Sequence, residues 1–173
     1  MRACVLVAGL IGMTCYLAGA ASAETVSSIA NAAEKGVLVS AGDVADIYQN
    51  QTWQWKDGAG YFKPQKRQFT AWSGTGKAAV YGEGVWFLKE DGTICFRAEW
   101  KSAKKSTTNY SCFEHRKVGN TIYAKNTAKG DWYILTGGDK QAYQEIKMLK
   151  AGDRVSKRVQ EIKDAFARPA TAG

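Results

Sequence analysis

Three side chains carry most of the reactive chemistry in this sequence: Cys95, Cys112 and His115, the last being the only histidine. An imidazole titrates near neutral pH and can act as a general base. Cys112-x-x-His115, with Cys95 as a third ligand, could also be read as half a zinc site. Strand alternation argues against that, because an odd separation sends residues 112 and 115 to opposite faces. Covalent haem would need a second cysteine three residues before Cys112, where Asn109 stands. No nucleophile motif accompanies His115, so it reads as a hydrogen-bonded histidine at the rim of the core and a candidate ligand contact. A hydrolase pairing it with Glu99 or Glu83 is the lesser alternative. Ser73-Gly74-Thr75-Gly76-Lys77 is followed by a strand pattern, whereas a phosphate loop leads into a helix N-terminus. The expectation is therefore no catalytic residue, no metal and no cofactor.

The start of the chain decides what the cysteines do. Arg2 precedes an apolar run from Ala3 to Ala20, and Ala21-Ser22-Ala23 follows, which is the form of a secretory leader cleaved after residue 23. Lipid attachment at Cys15 is disfavoured, because Gly12-Met13-Thr14 lacks the expected Leu and small residue. Export to an oxidising compartment, a bacterial periplasm, makes the remaining pair Cys95 and Cys112 a disulfide. It should stabilise the fold by roughly 3 kcal/mol in the chain-entropy model. No transmembrane span is expected after cleavage.

The crosslink predicts a register. If Cys95 faces Cys112 on adjacent antiparallel strands, Arg97 faces Tyr110 and Glu99 faces Thr108. Ile94, Phe96, Ala98 and Trp100 then share an apolar face with Phe113 and His115, and the cysteines share the polar one. His115 falls opposite Gly92, and a local twist is expected at the bridge, since opposed Cβ atoms sit slightly wide for a disulfide. All six Trp, five of the eight Tyr and five of the six Phe fall in 53–133, broken by turn residues, and such runs mean strands.

Strands are predicted at 52–56, 60–63, 67–72, 77–81, 84–89, 93–100, 107–116, 120–125 and 131–135. Their short connections allow only antiparallel neighbours. The fold class is mainly β with flanking helices: an up-and-down meander forming a small barrel or half-barrel. Ser40 with Asp43 has the form of a capping box and starts a short N-terminal helix to about Asn50. Tyr143, Ile146 and Leu149, then Val155, Val159, Ile162 and Phe166, have helical spacing up to Pro169. Four segments result: a signal peptide over 1–23, a flexible arm over 24–39, one β-rich domain over 40–156, and a basic helical tail over 157–173.

The formal net charge of +8 favours anionic partners, anionic lipid or cell-wall glycan, and a periplasmic address disfavours nucleic acid. Lys101, Lys104 and Lys105 form a basic hairpin tip, the candidate anionic-surface contact. Trp53, Trp55 and Tyr61 are candidates for ligand stacking, with Trp53 and Trp55 on one side of a strand, either both buried or both lining a concave surface. The function expected is that of a non-enzymatic envelope protein binding an anionic surface or small ligand. The alternative is an inhibitor or regulatory partner of another periplasmic protein, acting through Lys101–Ser106.

The landmarks Trp53-x-Trp55-x-Asp57-Gly58-x-Gly60-Tyr61-Phe62, Phe69-x-Ala71-Trp72-Ser73, Gly82-x-Gly84-x-Trp86, Cys95-Phe96-x-Ala98-x-Trp100, Cys112-Phe113-x-His115-Arg116 and Gly130-Asp131-Trp132-Tyr133 occur in a fixed order. Together they resemble a family of small exported alphaproteobacterial proteins catalogued as domain of unknown function 995, from about Ser40 to Ser156. The resemblance implies periplasmic residence and a compact β-rich domain, and it brings no activity or catalytic residues with it.

Overall fold

A computed structural model describes residues 18–138 and 143–168. Arg2, Cys15 and the rest of the leader before Ala18 lie outside the described residues, as do Pro169 and the tail. Helix α1 spans Ala18–Glu34 and is followed by the two-residue strand β1, Val37–Leu38. The segment 24–39, expected as a loose or weakly helical arm, is helix through Glu34. Its Ala33 is buried against Tyr123 and Trp132, so docking supplies the order that its weak periodicity does not.

Helix α2, Ala41–Tyr48, begins as its capping signal predicts. The Ser40 hydroxyl accepts from the Asp43 N–H at 3.1 Å and donates to the Asp43 carboxylate at 2.8 Å. The meander follows: β2 Gln51–Trp55, β3 Gly58–Phe62, β4 Gln68–Ser73, β5 Val80–Leu88, β6 Ile94–Lys101, β7 Ser106–Val118, β8 Thr121–Asn126 and β9 Tyr133–Thr136. Each is antiparallel to the next, and the sheet curls into a half-barrel. The register drawn from the cysteines holds: Cys95 pairs with Cys112, Arg97 with Tyr110 and Glu99 with Thr108. A disulfide joins the two cysteines with their Cα atoms 4.1 Å apart. At that point the strands lie as close as a non-hydrogen-bonded pair.

Three expectations need correction. Residues 77–81 and 84–89, expected as two strands, belong to the single strand β5, with Lys77 in the 3-10 turn Gly76–Ala78 before it. Gly82 and Gly84 do not break the strand, because they are paired within it. The stripe Tyr143, Ile146, Leu149 is not an α-helix: Glu145–Met148 is one 3-10 turn, and Leu149–Ala151 is strand β10, paired with β2. A free strand edge gains a full ladder partner there, which outweighs a short helical pattern. Beyond Ile94, the partner of β7 is not the Gly92 turn but β1, whose Leu38 pairs with Arg116.

Helix α3, Ser156–Ala167, lies on the outer face of the sheet. Val155 and Val159 are buried there with Ala59 and Tyr61, and Trp72 and Tyr81 pack alongside. The stretch 157–173, expected as a basic helical tail with core packing as its plainer reading and a membrane surface as the sharper one, packs on the sheet through the buried Val159 and Ile162. The main core is inside the curl, where Val44 and Tyr48 of α2 meet Phe62, Phe69, Trp86, Ile94, Ala98 and Leu135.

Candidate functional site

Alternation puts a run of small residues on the inner face: Gly58 and Gly60 on β3, Ala71 on β4, Gly82 and Gly84 on β5 and Ala98 on β6. Aromatic rings lie across these positions. A Cβ added at Gly60 would meet Phe69 Cζ at 2.7 Å, and one added at Gly82 would meet Trp100 Cδ2 at 2.9 Å. Beyond these rings the inner face leaves a cavity of about 290 Å³. Its walls are Trp53, Trp55, Phe62, Phe69, Phe96, Trp100 and Phe113, with Gly60, Asn109 and Ser111 completing it.

The aromatic wall is continuous. Phe69 stacks on Phe96 at 4.7 Å between centroids, Phe96 lies 6.0 Å from Phe113, and Trp53 meets Phe113 edge-on at 5.1 Å. Trp53 is anchored from outside the cavity, its Nε1 donating to Glu145 Oε1 at 2.9 Å, and the 3-10 turn that carries Glu145 contacts both β2 and β9. Asn109 is exposed and Ser111 half-buried, so the polar side of the cavity is its solvent side. Among the described residues neither the Ser111 hydroxyl nor the Asn109 amide nitrogen has a hydrogen-bond partner within the protein, leaving both for a ligand or water.

Of the four expected ligand residues, Trp53 and Trp55 line this cavity. Tyr61 does not: it points outward to α3, and its hydroxyl donates to Asn50 Oδ1 at 2.8 Å. His115 is on the inner face but is fully buried behind α2, with its Nε2 3.0 Å from the Tyr48 hydroxyl and the two rings edge-on. Loss of solvation lowers its pKa to about 4, against the pull of the Gly92 and Phe113 backbone. Among the described residues Nδ1 has no hydrogen-bond partner, and the imidazole tautomer sets which of Nε2 and the Tyr48 hydroxyl donates.

Phe69, Phe96, Trp100, Phe113, Asn109 and Ser111 were not singled out as ligand contacts from the sequence. The register nevertheless carried the signal for three of them, since it puts Phe96, Trp100 and Phe113 on one face.

The lysines of the β6–β7 tip divide. Lys101 is held by Glu99 at 3.0 Å on the outer face. Lys104 and Lys105 are exposed and form no ion pair among the described residues. Ser102 fixes their turn: its hydroxyl accepts from the Lys104 N–H at 3.3 Å and the Lys105 N–H at 3.1 Å, and its own N–H donates to the Lys105 carbonyl at 2.9 Å. Glu83 and Glu99, distant in sequence, are directly opposed across β5 and β6, with Glu83 held by Lys163 of α3 at 2.6 Å. They face outward, away from His115. Among the described residues no group of His, Cys, Asp or Glu could hold a metal ion, and no helix is long and apolar enough to cross a membrane.

No curated protein and no solved structure matches the chain. The family described as "Protein of unknown function (DUF995)" matches residues 14–155, from ahead of α1 through the whole meander to the edge of α3. With the ordered aromatic, glycine and cysteine landmarks now placed on one curled sheet, the chain belongs to the DUF995 family.

Proposed function

We propose that this chain is an exported, non-enzymatic binding protein whose half-barrel holds a small apolar ligand. The carrying observation is the ring-walled cavity of about 290 Å³ with unpaired polar groups along one side. Ligand sites are typically apolar concavities with a few polar groups that fix orientation. An engineered apolar cavity of ~150 Å³ accepts benzene, so this one has room for about two fused rings. Export to the periplasm is supported by the leader-like start of the chain and by the Cys95–Cys112 crosslink, which persists in oxidising compartments.

Naphthalene titrated into the full chain tests the reading, because Trp53, Trp55 and Trp100 at the wall report occupancy through their emission. The expected result is a saturable change that Ser111→Leu, which fills the cavity from β7, abolishes. An unsaturable change, or the same curve for Ser111→Leu, overturns it.

A further inference from the structure

We infer that the ligand is a single-chain amphiphile of the fatty-acid type, its alkyl tail in the cavity and its carboxylate at Lys104 and Lys105. The inference rests on the cavity reading and deepens it. Trp100 is a wall shared by two spaces. Inside lies the cavity, and on its other side is a second, mostly apolar depression of about 210 Å³ lined by Val80, Ser102, Lys105 and Thr107. The ring is held flat across Gly82, so neither space can grow at the expense of the other. A ligand that uses both must bend around the edge of Trp100, which a flexible chain does and a rigid fused ring does not.

Charge then sets the direction of the chain. Two carboxylates of β5 and β6 are already taken, Glu99 by Lys101 and Glu83 by Lys163. Lys104 and Lys105 are left as uncompensated positive charges, and the Lys105 stem forms part of the apolar lining. The Ser102 hydrogen bonds hold the backbone of both residues in one turn, so the segment that carries the two lysines is already ordered before binding. An anionic head at the rim with an apolar tail inward satisfies both surfaces, whereas a neutral alkane leaves the lysines unused and a free small anion leaves the cavity empty.

Isothermal titration of the full chain with decanoate and with decanol at neutral pH separates the possibilities. The expected result is binding of both, with decanoate favoured about fivefold at low salt, a preference that shrinks as salt is added. In the double variant Lys104→Gln/Lys105→Gln, the preference for decanoate over decanol disappears. Equal binding of the two probes to the unaltered chain, or a preference retained by the double variant, overturns the assignment of the head group and leaves the cavity reading standing. Failure of both probes to bind, with naphthalene still bound, overturns the flexible-chain assignment, and failure of all three overturns the cavity reading itself.

Discussion

Acidification should destabilise this protein through one residue, and the size of the effect follows from the burial of His115. In the folded chain its pKa is lowered from 6.5 to about 4, chiefly by desolvation. The unfolded chain therefore takes up a proton at a pH where the folded chain refuses it, and stability is lost as pH falls from the unfolded value to the folded one. Over the whole window the loss approaches about 3 kcal/mol, and between pH 7 and pH 5 it is about 2 kcal/mol. That upper half of the window belongs to this group alone, because the chain has no other histidine. Asp91, held low by its hydrogen bonds from Thr93, contributes only at more acid pH. So does Asp153, where burial is outweighed by hydrogen bonds from Ser156 and Val155. Urea unfolding followed by tryptophan emission at pH 7, 6 and 5 measures the slope directly, with His115→Gln as the variant that should unfold earlier yet show a flat profile. A flat profile in the unaltered chain, or a slope that survives in His115→Gln, would refute the claim that this imidazole is held neutral by burial.

Two further outcomes test the frame around the site. Reduction of the Cys95–Cys112 bridge, or the double change Cys95→Ser/Cys112→Ser, should lower unfolding free energy by roughly 3 kcal/mol, given the 17-residue separation, with circular dichroism showing the sheet retained. Val159→Ala on α3 should cost about 1 to 3 kcal/mol by urea denaturation, whereas the same change at an undocked tail would cost nothing measurable.

Local alternation made the walls of the site legible, and long-range pairing hid its extent. One assumed crosslink fixed the pairing of β6 with β7, and with it the common side of Phe96, Trp100 and Phe113. Trp53 and Trp55 followed from their spacing of two. Tyr61 was misread because its own strand carries Gly58, Ala59 and Gly60, whose small side chains give no apolar face to count. The last strand was hidden for a related reason: three residues are too few to show a period of two, and Tyr143, Ile146 and Leu149 suit a helix equally well. The Glu83–Glu99 pair and the Glu145 anchor on Trp53 join residues 16 and 92 positions apart, which no local pattern encodes. The cavity itself lies beyond the rings that span the glycines, visible only once those rings are placed.

The pairing of β10 with β2 has a bearing on how the chain acquires its shape. Thr52 donates to the Gly152 carbonyl at 2.7 Å and accepts from the Arg154 N–H at 3.1 Å, so the first strand of the meander is completed by residues about a hundred positions later. Its outer edge stays bare until residues 149–154 reach it, and closure of so long a loop is slow. An immature molecule of this kind is sticky along that rim and still pliable. Strand β10 thus acts as its latch, and the wall bearing Trp53 sets only when Leu149 arrives opposite it.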